Sequence, residues 1–137
     1  MKKTIYIALF VPMFLACNRN PQHQFGDRKL SIQVREARAE NPAVETAFQV
    51  RVFNLSKTEG NRGKKLSEKM EYGNDSSFYR IRSGQKRYAS GVMPVSTGIR
   101  DCYEYLVFFP AESGEDNSSL VYRDRYISGR TYQLSLR

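Results

Sequence analysis

From residue 29 onward, apolar and polar residues alternate in short runs separated by turn-forming clusters, the pattern of strands with one buried face. Leu30, Ile32 and Val34 alternate with Ser31, Gln33 and Arg35 and predict a half-buried strand over 30–35. Asn41-Pro42 breaks any helix begun over 35–40. A second strand is predicted over 47–55, with Phe48, Val50 and Val52 on one face. The parity then moves to Phe53 and Leu55, which predicts a bulge or a strand leaving the sheet. Segments 66–72, 76–82 and 86–93 predict further strands, with turns at Gly73-Asn74-Asp75 and Ser83-Gly84-Gln85. The strongest run is 102–109: Tyr103, Tyr105, Val107 and Phe109 share one parity, Leu106 and Phe108 the other. Apolar residues on both faces predict a central strand, ended by Pro110. Segments 120–125 and 130–136 complete the set, the last with Tyr132, Leu134 and Leu136 inward. Turn signals about every ten residues without a sustained helical period predict an all-β fold, an antiparallel β-sandwich of about seven to eight strands. A partly open barrel is the nearest alternative.

The chain before residue 29 follows a different pattern. Met1, Lys2, Lys3 and Thr4 precede an apolar stretch, 5–16, broken only by Pro12, which has the length and flanks of an export leader and is too short to span a bilayer. The stretch ends Phe14-Leu15-Ala16-Cys17, which resembles the bacterial lipobox, a small residue directly before a cysteine that accepts lipid. The resemblance implies cleavage after residue 16 and acylation of Cys17. Stable anchoring takes two or more acyl chains, at about 0.8 kcal/mol per buried methylene, and a multiply acylated cysteine meets that requirement. Residues 18–28 are polar, with only Phe25 to bury, and read as a tether of about eleven residues reaching roughly 35 Å when extended. The organisation expected is a leader over 1–16, a lipidated N-terminus and tether over 17–28, and a sandwich domain over 29–137.

Charge changes the picture next. The formal net charge is +8, and loss of Lys2 and Lys3 with the leader lowers it to +6. A basic surface suits anionic headgroups, an acidic protein, peptidoglycan or nucleic acid, and export makes nucleic acid the least expected partner. Two cysteines are present and one is assigned to lipid, so the core must fold without an intrachain disulfide. Cys102, inside the most apolar run, reads as a small buried hydrophobe.

Candidate chemistry is sparse. His23 is the sole histidine and falls in the predicted tether, which leaves the domain without a Ser-His-Asp or Cys-His arrangement and without the usual zinc ligands. Glu104 and Asp124 are the carboxylate pair to weigh for glycoside hydrolysis, and alternating positions on exposed strand faces explain both more simply. Glu112, Glu115, Asp116 and Asn117 supply oxygen ligands without the spacing of a known calcium loop. The loop 56–65 holds Gly60-Asn61-Arg62-Gly63-Lys64-Lys65, which lacks the spacing of a P-loop and its Ser/Thr after lysine. As a hairpin tip it is a charged contact surface, and Arg62, Lys64 and Lys65 are the candidate partner-binding residues. Nine tyrosines and eight phenylalanines suffice for a core, with Tyr72, Tyr79, Tyr88 and Tyr126 as candidates for outward, interface positions. No catalytic residue, metal or other cofactor is expected.

The order of lipobox, polar tether, Phe48-Gln49-Val50-Arg51-Val52-Phe53-Asn54-Leu55, Ile81-Arg82-Ser83-Gly84-Gln85 and a tyrosine-rich strand to Phe109 resembles the TssJ-type lipoproteins of type VI secretion systems, and among them the TssQ type of Bacteroidetes. Ser83 stands where that family favours proline. The resemblance covers residues 47–109 and implies a transthyretin-like or Ig-like sandwich held at the outer membrane, on its periplasmic face. It implies a structural adaptor that grips the periplasmic domain of a secretion-complex protein. The alternative is a lipoprotein inhibitor, immunity or ligand-binding module.

Overall fold

The alternating segments pair into two antiparallel sheets packed face to face, an all-β sandwich with one helix among the described residues. The computed structural model describes residues 22–57, 60–114 and 117–136; the leader expected over 1–16, Cys17 and residues 18–21 lie outside the described residues. The strands are β1 (Gln22–Gly26), β2 (Leu30–Ala37), β3 (Glu45–Asn54), β4 (Phe78–Arg82), β5 (Gln85–Tyr88), β6 (Gly91–Val95), β7 (Cys102–Pro110), β8 (Ser119–Arg123) and β9 (Thr131–Ser135). One sheet has the order β1-β2-β3-β7-β6, the other β5-β4-β8-β9, and α1 (Asn61–Tyr72) links β3 to β4.

Alternation set the inward faces as expected. Leu30, Ile32 and Val34, then Phe48, Val50 and Val52, then Tyr105, Val107 and Phe109 meet Phe78, Leu120, Tyr122 and Tyr132 from the other sheet. Each large apolar side chain buried this way contributes about 1.5–3 kcal/mol. Strand β7 is an interior strand, paired on both sides with β3 and the edge strand β6, as its two apolar faces predicted. Arg80 also points inward, donating to the Ser118 hydroxyl (3.1 Å), with its guanidinium 5.7 and 5.6 Å from the Phe48 and Phe109 ring centroids.

Several expectations are corrected. Residues 22–26, expected in the tether together with His23, form β1, with His23 opposite Val34 and Phe25 opposite Ile32. An edge strand is held by backbone hydrogen bonds and needs no apolar run, so the pattern did not mark it. Residues 61–72, expected as loop and strand, are helical. Leu66 and Met70 stand four apart on one face among good helix formers, which two apolar residues are too few to signal as a period. The strand expected over 86–93 is two strands in different sheets. The Ala89 N–H bonds to the Phe78 carbonyl (3.1 Å) in one and the Ser90 N–H to Phe108 (2.8 Å) in the other. No bulge interrupts β3: pairing is continuous on both sides, Asn54 keeps the inward place, and Leu55 faces out. Among the described residues no helix is long and apolar enough to cross a membrane.

The sandwich has two distinct poles. At one lie α1, the turn 27–29, and the loops 96–101 and 124–130; at the other lie the loops 38–44 and 111–118 and the turn Ser83-Gly84. Strand β1 runs toward the helical pole: Gln22 is level with Arg35 and Gln49, Gly26 with Ser31 and Phe53.

Asp27 ties the two sheets together at the helical pole. One carboxylate oxygen accepts the Lys29 and Leu30 amides (2.7 and 3.2 Å), the other Arg130 (2.9 Å) and the Tyr132 hydroxyl (2.8 Å). Led by the Lys29 amide and the Tyr132 hydroxyl, these bonds hold its carboxyl at about 2, below the ordinary 3.8. A depressed folded-state value means that the stabilisation is complete above 3.8 and is lost as pH falls toward 2. We expect Asp27→Asn to be the less stable protein at neutral pH in urea titrations, with the difference vanishing below pH 2. A constant difference across that range would contradict the assignment.

Candidate functional site

Helix α1 is a ridge anchored mainly through its C-terminal half. Met70 is fully buried and its carbonyl accepts the Tyr105 hydroxyl and the Asn74 side-chain amide (2.6 Å for the latter). Burial pushes the Tyr105 phenol far above its ordinary range, so it stays a neutral donor. The helix ends at Gly73, whose N–H bonds to Lys69 (2.8 Å) and whose carbonyl accepts the Tyr126 hydroxyl (3.0 Å). A Cβ there would stand 2.4 Å from that hydroxyl oxygen, so this approach requires glycine. The first turns project into solvent. Gly60 provides no side-chain cap, no acid occupies the first turn, and Arg62, Lys64 and Lys65 are all exposed.

A cleft runs along each side of the ridge. The larger, about 450 Å³, lies against the 96–101 loop and is walled by Leu66, Met70, Val95, Ile99 and Tyr103. The buried Cys102 also borders it, and desolvation raises that thiol, which keeps it protonated and matches its reading as a small hydrophobe. The second cleft, about 390 Å³, lies against the 124–130 loop and is rimmed by Arg62, Lys65, Lys69 and Arg125.

The structure therefore brings Arg62 and Lys65 together on one cleft and leaves Lys64 on the exposed ridge, lining neither. Lys69 and Arg125 were missed. The spacing Arg62, Lys65, Lys69 would have revealed the first had the helix been recognised; Arg125 is joined to the group only by folding. The tyrosines divide: Tyr72 and Tyr88 are exposed, Tyr79 is buried, and Tyr126 lies half-buried at the second cleft.

Glu104 and Asp124, expected on exposed faces, are both buried. Glu104 accepts from Gln49 (2.6 Å) and Arg51 (2.6 Å), and Asp124 accepts a ring of donors from its own loop, so hydrogen bonding accounts for the burial of each. Glu112 is ion-paired with Arg82 (2.7 Å) and Arg87 (2.9 Å), and the Arg82 bond above all holds its carboxyl below the ordinary value. Glu115 and Asp116 lie outside the described residues, as does Cys17. Among the described residues no three His, Cys, Asp or Glu side chains are grouped to hold a metal ion. Compared with protein-family models, curated proteins and solved structures, the chain matches none.

Proposed function

We propose that the protein is a lipid-anchored adaptor of the bacterial envelope, held in the outer membrane through Cys17 and gripping a periplasmic protein partner with its helical pole. The observation that carries this reading is the polarity of the sandwich. The chain runs into β1 toward the helical pole, so an anchor five residues before Gln22 pulls from the other side. Those five residues reach at most about 17 Å, so β1 begins nearer the bilayer than a tether of eleven residues would hold it. The helical pole, with exposed Arg62, Lys64 and Lys65, then faces away from the membrane and toward an acidic partner. The resemblance to type VI secretion lipoproteins supports the same role and makes the partner a membrane-anchored component of that complex. The function is mechanical, and no catalytic group is assigned.

The test is Cys17→Ser in living cells, with crosslinking. The variant is expected to leave the membrane fraction and to lose its crosslinks to membrane components. A variant that stays membrane-bound and fully competent would refute the anchor. Crosslinks confined to a soluble enzyme would replace the adaptor with an inhibitor.

A further inference from the structure

We infer that the cleft between α1 and the 124–130 loop is the docking site for an acidic, partly apolar peptide segment of a protein partner. Arg62, Lys65 and Lys69 stand at i, i+3 and i+7 and form one stripe along the helix. Arg125 closes the stripe from across the cleft. Among the described residues no carboxylate pairs with any of the four. Ion pairs among the described residues lie elsewhere, including those between Arg51 and Glu104, Arg82 or Arg87 and Glu112, Arg100 and Asp101, and Arg130 and Asp27. Arg125 donates to the Ser76 hydroxyl (2.6 Å) and Lys69 Nζ lies 5.7 Å from the Tyr126 ring centroid, contacts that fix position without cancelling charge. Like charges one turn apart, as in Lys65 and Lys69, destabilise a helix. An anionic occupant would relieve that repulsion.

The walls narrow the class of occupant further. Leu66, Tyr126 and Ile127 line the same cleft and are only half-buried. Free phosphate satisfies the four cations but not this apolar surface; a segment with carboxylates flanking an apolar side chain satisfies both. The choice of a protein over an anionic lipid surface rests on the adaptor reading, in which the anchor pulls from the other pole.

Selection of a random-peptide library on the purified full-length protein tests the inference. Enriched peptides are expected to carry carboxylates beside an apolar side chain. Lys65→Glu and Arg125→Glu should each weaken their binding by about tenfold or more. Arg38→Glu, the same charge change at the opposite pole, should alter it less than about twofold. Enrichment of neutral or basic peptides, or equal losses in all three variants, overturns the inference. Capture of phosphatidylglycerol vesicles through Lys65 and Arg125 in place of peptides overturns it too. The Cys17→Ser protein goes through the same selection. Retained peptide binding there leaves the cleft standing even if the adaptor reading falls, and absent peptide binding beside an anchor-dependent phenotype removes the cleft alone.

Discussion

Asp124→Ala is expected to lower the folding free energy by about 3–4 kcal/mol, read as a fall in the urea midpoint at unchanged slope. Asp124 is only 1% exposed and sits where β8 turns into the 124–130 loop. Its carboxylate accepts the amides of Tyr126, Ile127 and Gly129 (3.3 Å each), the Ser128 amide, the Ser128 hydroxyl (2.7 Å) and the Tyr122 hydroxyl (3.3 Å). A single charge-assisted bond is worth about 1.5–3 kcal/mol, and removing the common acceptor orphans several donors at once. The Tyr122 phenol, pushed far up by burial first and by this carboxylate second, would lose a partner inside the core. The loss also reaches the cationic cleft, because Arg125, Tyr126 and Ile127 belong to the segment that Asp124 holds. Faster amide exchange over 125–129 should therefore accompany the stability loss. A shift below about 1 kcal/mol would mean that packing holds the loop, and the charge does not.

Asn74→Ala is the second large effect, expected at about 2–3 kcal/mol. The residue falls in a predicted turn, yet it is 2% exposed. Its side-chain amide donates to the Met70 carbonyl (2.6 Å) and to Tyr105 Oη (2.8 Å), and its side-chain oxygen accepts the Ser77 hydroxyl (3.0 Å). These bonds join the end of α1 to the interior strand β7 and to the chain approaching β4. Alanine leaves a fully buried Ser77 hydroxyl without that acceptor and releases the last turn of the helix. The check is a double-mutant cycle with Tyr105→Phe, since the Tyr105 hydroxyl also donates to the Met70 carbonyl. Additive losses would show the two groups acting independently and would contradict a shared network.

Much of this architecture was legible from residue order. The inward sets of β2, β3 and β7 follow from alternation alone, and a turn at Ser83-Gly84 was expected where both residues adopt positive φ, 50° and 76°. The misreadings have a common cause. β1 and the break at Ala89-Ser90 are defined by which backbone amides find which carbonyls, and side-chain pattern does not encode that where apolar residues are few. Helix α1 carries just two apolar anchors, and its strongest ties are Met70, Asn74, Tyr105 and Tyr126, three of which lie outside the helix. At the candidate site, Arg62, Lys64 and Lys65 were visible as a basic cluster; whether they faced one cleft was not.

Side-chain direction along a strand reverses at every residue because of covalent geometry, so the order of residues was enough to say which face of β2, β3 and β7 meets the core. Nothing so local could allot strands to two sheets, bury Asp124 among its own loop amides, or set Arg125 across from Lys65 and Lys69. Those outcomes depend on contacts between segments far apart in the chain, whose free energy exists only once the sandwich has closed.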